Sequence, residues 1–213
     1  SNLFLPKFLN KKLNKVFSKG NIQGEFVIPF NPDGSIAKDY QINAKLLDTN
    51  LNIYKDFKIN NLSTDIKYVY KSDNNKEINF LINTGKILNL NLQNSSIDVN
   101  LKNDKKIIKS KIKTNGSSKY NEIKIISSLL GVDLSKIKNL ELTSDLETSV
   151  KLSMDNRFKI TQSDFSVNGK INDLFLEHKE VKNIKKFLTS YNSSFILKDT
   201  DINFNSNNSL KLS

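Results

Sequence analysis

His178 is the only histidine in the 213 residues, and there is no cysteine. A lone imidazole acts as a general base only where the fold brings it a nucleophile and an orienting acid. No G-x-S-x-G elbow is present to expose a serine. A metal site at His178 would have to be completed by carboxylates, and no ligand spacing supports one. Asp145 and Glu147 lie two apart and would share a strand face, the arrangement of a paired-carboxylate site. The same spacing is that of acids on a solvated strand, which is the expectation here. No P-loop or G-x-G-x-x-G occurs. Asn31-Pro32-Asp33-Gly34 lacks the remaining ligand positions of a calcium loop and reads as a turn. Asn61-Leu62-Ser63, Asn94-Ser95-Ser96 and Asn192-Ser193-Ser194 fit the glycosylation sequon, as expected by chance in a chain rich in Asn and Ser. Tyr68-Val69-Tyr70-Lys71 could stack on bases, but Tyr and Val are ordinary strand formers. The expectation is a non-enzymatic chain with no catalytic residue, cofactor or metal.

The elements that would position these residues are mostly strands. Residues 20–70 read as a β-meander, with Ile22, Gly24, Phe26, Ile28 and Phe30 on one face at period 2. Tyr40, Ile42, Ala44 and Leu46 resume the alternation after the 31–34 turn, and Ile66, Tyr68 and Tyr70 repeat it. Ile78, Phe80 and Ile82 alternate until Gly85 interrupts, and Leu88, Leu90 and Leu92 predict a further strand. Asn94-Ser95-Ser96 reads as a turn before Ile97, Val99 and Leu101. Ile108, Ser110 and Ile112 face away from Lys109, Lys111 and Lys113. Leu140, Leu142, Leu146, Val150 and Leu152 predict one long strand. Phe158 and Ile160 begin its return, followed by separate strands at 165–171, 195–197, 202–204 and 210–212. Short strands turned by polar residues argue for an antiparallel sheet with one wet face.

Three stretches have helical spacing. In residues 5–19, Leu5, Phe8, Leu9, Leu13, Val16 and Phe17 form an apolar stripe, with Pro6 at the start and Gly20 past the end. Its lysines make an anionic membrane surface one expected partner, and packing on the end of the sheet the other. Residues 117–130 predict a helix capped by Ser118 and ended by Gly131, marking a boundary near 115–120 between two sub-repeats of one segment. Residues 181–188 are the third.

The net charge is +11, with lysine, asparagine and isoleucine abundant and Arg157 the sole arginine. AT-rich codons produce this signature without a polyanionic partner, and the arginine that reads phosphate and guanine is nearly absent. No nucleic acid is expected. No run approaches the ~20 apolar residues that span a bilayer. Starting at Ser1 and stopping at Ser213, the chain reads as a segment of a longer protein.

The order of these elements resembles the AsmA-like superfamily, closest to the YhdP-type and TamB-type bacterial envelope proteins. The resemblance is carried by the Leu5-Pro6 helix, Lys19-Gly20-Asn21-Ile22-Gln23-Gly24, Asp33-Gly34 and Leu47-Asp48-Thr49-Asn50. It continues in Leu129-Leu130-Gly131 before the strand at 140–152, and in the run from Phe195 to Phe204. The resemblance spans most of the chain. It implies a curved antiparallel β-groove, taco-like, in a periplasmic protein anchored in the inner membrane. It also implies that the groove carries phospholipid acyl chains to the outer membrane in outer membrane biogenesis. The lining expected from alternation is Phe26, Ile28, Ile42, Leu46, Ile66, Tyr68, Phe80, Leu90, Val99, Leu142 and Val150. The alternative is a closed β-sandwich or solenoid module for envelope protein assembly or adhesion, with a self-covered core.

Overall fold

The computed structural model describes residues 16–27, 29–35, 37–54, 57–71, 75–129, 133–179, 192–206 and 208–212. The chain is mainly β: one antiparallel sheet whose strands follow in chain order. They are β1 (Phe17–Val27), β2 (Tyr40–Tyr54), β3 (Phe57–Tyr70), β4 (Lys76–Ile87), β5 (Leu90–Leu101), β6 (Lys106–Lys119), β7 (Ile137–Met154), β8 (Ile160–His178), β9 (Ser194–Asn205) and the five-residue β10 (Asn208–Leu212). β1 and β10 are the two ends of the order and do not pair, so the sheet is not closed. One short helix, α1 (Tyr120–Leu129), lies between β6 and β7, which pair directly with each other. No second sheet is present among the described residues.

The meander and its wet face agree with the alternation in the sequence. The 31–35 turn also forms as its residues dictate. The Gly34 amide donates to the Asn31 carbonyl at 2.9 Å, and Gly34 takes φ 81°. The Asp33 carboxylate accepts from the amide and hydroxyl of Ser35, which hold its pKa below the ordinary carboxylate value.

Several expected breaks are not breaks. Asn94-Ser95-Ser96 lies inside β5, Gly85 lies inside β4, and β8 and β9 each run through positions read as gaps. Leu88 is in the β4–β5 turn rather than a strand, and Phe158 precedes β8. The cause is bulging. Asp48, Asn61, Asn94 and Asp199 have positive φ inside β2, β3, β5 and β9, as does Gly20 inside β1, whereas Gly116 and Gly169 take positive φ inside β6 and β8 without a break in register. A bulge slips the alternation by one residue without ending the strand, and bends and twists it. In sequence such a slip looks like a turn. Three of these bulges share a device. The hydroxyl of the residue after the Asp or Asn donates to the carbonyl two residues before it. Thr49 does so to Leu47 at 3.2 Å, Ser95 to Gln93 at 3.1 Å and Thr200 to Lys198 at 3.0 Å. Aspartate and asparagine tolerate the left-handed region, and the hydroxyl satisfies a carbonyl that the interrupted ladder leaves over.

The helices are corrected in part. The expected helix at 5–19 has its residues 1–15 outside the described set. Phe17 to Lys19 belong to β1, where Phe17 pairs with Leu51. The expected helix at 181–188 and Gly131 also lie outside the described residues. The 117–130 helix is present but starts at Tyr120, and Ser118 does not cap it. Ser118 is buried in β6 and its Oγ has no hydrogen-bond partner. Glu122 instead reaches back to the Lys119 amide at 2.8 Å, the carboxylate half of a capping box.

Candidate functional site

Cross-strand partners in an antiparallel sheet share a face, so the register sorts the side chains. One row runs Phe26, Ile42, Tyr68, Ile78, Val99, Ile108, Leu152 across seven strands. The next runs Ala44, Ile66, Phe80, Ile97, Ser110, Val150, Phe165. Leu46 pairs with Ile22 one row further. Past the bulges the apolar series resumes with Leu51, Ile59, Ile87 and Leu90, and on the later strands with Leu142, Leu174 and Leu197. Ten of the eleven residues named from the sequence therefore lie in these rows. Ile28 lies outside the described residues.

The rows are unevenly covered. Leu46, Leu62, Ile82 and Leu92 are buried and form a cluster, against which Phe17, Ile66, Ile97 and Ile112 pack. Ile42, Ile66, Tyr68, Phe80, Leu90, Val99, Leu142 and Val150 are half-buried, and Phe26 is 68% exposed. Hydroxyls sit where the bulges crowd the sheet. Thr49, Thr64 and Ser95 are almost fully buried, and Thr64 Oγ1 donates to the Leu81 carbonyl at 2.9 Å.

Tyr40, Tyr68 and Tyr70 gather near one end of the rows. The rings of Tyr40 and Tyr70 stack at 5.1 Å, and Tyr40 meets Tyr68 at 6.0 Å. Burial and the hydrogen bond with Tyr40 push the Tyr68 phenol up to about 12. Lys76 lies 5.9 Å from the Tyr70 ring centroid, and Lys106 lies 4.3 Å over Phe158.

The opposite face is polar and internally paired. One of its rows is Asn43, Lys67, Asn79, Asp98, Lys109, Lys151, Asp164. Lys45 pairs with Asp65 at 3.1 Å, Asn79 donates to Asp98 at 2.7 Å, and Asn83 donates to Asp65 at 2.9 Å. Those contacts, Asn83 first and then Lys45, hold the Asp65 pKa low. A depression of about 720 Å³ crosses β1 to β5 on this face, walled by Asn43, Lys45, Asp65, Lys67, Asn79, Leu81, Ser96 and Asp98. Gly24, Ala44, Ile66 and Phe80, between those positions along the strands, also line it. A second depression of about 260 Å³ lies between Lys109, Ser149, Lys151, Asp164 and Ser166. Sequence reasoning did not anticipate either, because strand alternation carries no record of how a sheet bends.

The residues weighed for acid–base chemistry sit apart. Glu147 is held between Lys111 at 2.9 Å and Lys113 at 3.6 Å, and these lysines, Lys111 foremost, keep its carboxyl below the ordinary range. Asp145 is exposed on the same face. His178, at the end of β8, donates through Nδ1 to the Lys179 carbonyl at 2.8 Å. Among the described residues no group of three or more His, Cys, Asp or Glu could hold a metal ion, and no helix is long and apolar enough to cross a membrane.

Compared with known proteins, the chain matches no family model, no curated protein and no solved structure.

Proposed function

We propose that the chain is a non-enzymatic piece of a β-groove, AsmA-like in type, that shields phospholipid acyl chains on its apolar face. The observation that carries this reading is the pair of apolar rows, each crossing at least seven strands of a sheet, with no second sheet among the described residues to cover them. Bulges, marked by register shifts between β1 and β2, β2 and β3, β3 and β4, β5 and β6, and β7 and β8, would bend a flat sheet into a trough. Acyl chains are the occupant whose chemistry suits such a face. Roughly thirty methylenes at ~0.8 kcal/mol each make exposure of a diacyl lipid to water cost on the order of 20 kcal/mol. Half-buried Ile, Val, Leu and Phe without directed polar groups lower that cost and need no specific contact. The polar face is a poorer surface for acyl chains despite its depressions, since charged and amide side chains line it and several of them are already paired.

On this reading the groove lies in the periplasm, its parent is held in the inner membrane, and lipid passes along it toward the outer membrane. The closed-module alternative requires a covering layer, and among the described residues only α1 stands off the sheet, against β6 and β7. The test is extraction of the purified chain followed by lipid mass spectrometry. Phospholipid in stoichiometric amount supports the groove. A chain free of lipid, which also fails to take up a fluorescent phospholipid from detergent, rejects it.

A further inference from the structure

The β1–β2, β3–β4, β5–β6 and β7–β8 connections all fall at the same end of the sheet, because each strand reverses direction. That end carries unusual side chains for loops in water. Phe30, between β1 and β2, is 67% exposed, and Phe158, between β7 and β8, is 66% exposed. Val27 and Ile160, at the adjoining strand ends, are exposed as well.

Cations flank Phe158 and the neighbouring β5–β6 turn, while the connection that carries Phe30 holds Lys38 with the acids Asp33 and Asp39. Lys102 and Lys105 are exposed in the β5–β6 turn with Asp104 as the acid between them, and Lys106 lies over the Phe158 ring. The β7–β8 turn holds Arg157 and Lys159. Its acid, Asp155, has Oδ1 occupied by the backbone amides of those same two residues, at 2.8 and 2.9 Å. Two exposed aromatic tips at one end, with cations around the Phe158 tip and in the turn beside it, match the chemistry of an anionic bilayer surface, where rings enter the headgroup layer and basic side chains meet phosphate.

We propose that this end of the sheet docks on the surface of an anionic phospholipid bilayer, with Phe30 and Phe158 entering the interface. The inference rests on the groove reading for its purpose, since it sets the apolar rows against their source or destination of lipid. Its test is separate.

The full chain is sedimented with phosphatidylcholine vesicles, with and without phosphatidylglycerol. Wild type is expected to pellet with the anionic vesicles. F30S/F158S should weaken that binding roughly tenfold, and each of K102Q and K105Q about fivefold at low salt. F195S/I196S, which removes two exposed apolar groups at the start of β9 and so at the opposite end, should bind like wild type. The chain has no tryptophan, so F158W provides a clean fluorescent probe. Its emission should shift to the blue on adding anionic vesicles, and that of F195W should not. Failure of wild type to bind, unchanged binding by F30S/F158S, an equal loss in F195S/I196S, or no shift for F158W overturns the proposal. Lipid content separates the two readings. Lipid retained without vesicle binding rejects docking alone, and vesicle binding by a lipid-free chain rejects the groove alone.

Discussion

The Lys113 amide donates to the hydroxyl of Ser95 at 2.8 Å, across the point where β5 bulges and its register with β6 shifts. The same hydroxyl donates to the Gln93 carbonyl, so one side chain serves two backbone groups that the ladder leaves over. Ser95 is fully buried there. Ser95→Ala should therefore destabilise the chain by about 1–3 kcal/mol, the cost of orphaning a buried backbone donor. Ser118→Ala should do the reverse or nothing, because the Ser118 hydroxyl is buried without a partner. Urea denaturation of both variants checks the pair. Equal losses would show that hydroxyl burial, not bulge bonding, governs these sites.

Gly169 sits at φ 141° in β8, where an added Cβ would collide with the Asp145 carbonyl oxygen of β7. Gly169→Ala should lower stability by about 1–3 kcal/mol from backbone strain, with further loss from the collision. Gly34→Ala, in open space at a turn, should cost less. Thermal melts of the two variants give the comparison.

Glu147 joins two lysines, which hold its folded pKa below the ordinary carboxylate value. A carboxylate with a depressed pKa contributes stability above its unfolded pKa and loses that contribution as pH falls through the folded value. Glu147→Gln should melt below wild type at pH 7 by an amount corresponding to no more than about 1 kcal/mol, since the network is largely solvated. The difference should vanish toward pH 3. A gap that persists in acid would mean that packing, not charge, is what Glu147 supplies.

The Tyr68 phenol, pushed up to about 12 by burial and by Tyr40, should ionise well above the ordinary tyrosine value. Above pH 10 the unfolded chain releases this proton while the folded chain keeps it, so stability falls as pH rises from about 10 to 12. Ultraviolet titration of tyrosinate in wild type and Tyr68→Phe measures this directly. Loss of the step at about pH 12 in the variant is the expected result.

Much of the architecture was legible in the sequence, for a physical reason. Period-2 alternation at Tyr40–Leu46, Ile66–Tyr70 and Ile78–Ile82 reports which face is dry, and the register brings those residues into shared rows. What misled was the loss of phase at Asn94-Ser95 and Asp199-Thr200. The polar residues read as a turn at 94–96 and as a gap between strands at 198–201, although the strand continues through each. The discriminating signal was present: an Asp or Asn followed by Ser or Thr, with apolar alternation resuming out of phase and no proline nearby. Asp48-Thr49 has the same pattern. Curvature and the depressions on the polar face depend on how successive bulges add, which local residue preference does not encode.

The central claim is that lipid sits against one face of the sheet and not the other. Val99 and Asp98 are adjacent in β5 and belong to opposite rows. A photoreactive side chain placed at position 99, and separately at position 98, is irradiated in cells or with phospholipid-loaded protein, and adducts are read by mass spectrometry. Phospholipid adducts from position 99 and none from position 98 are the predicted result. Adducts from both positions alike, or from position 98 alone, would contradict the account.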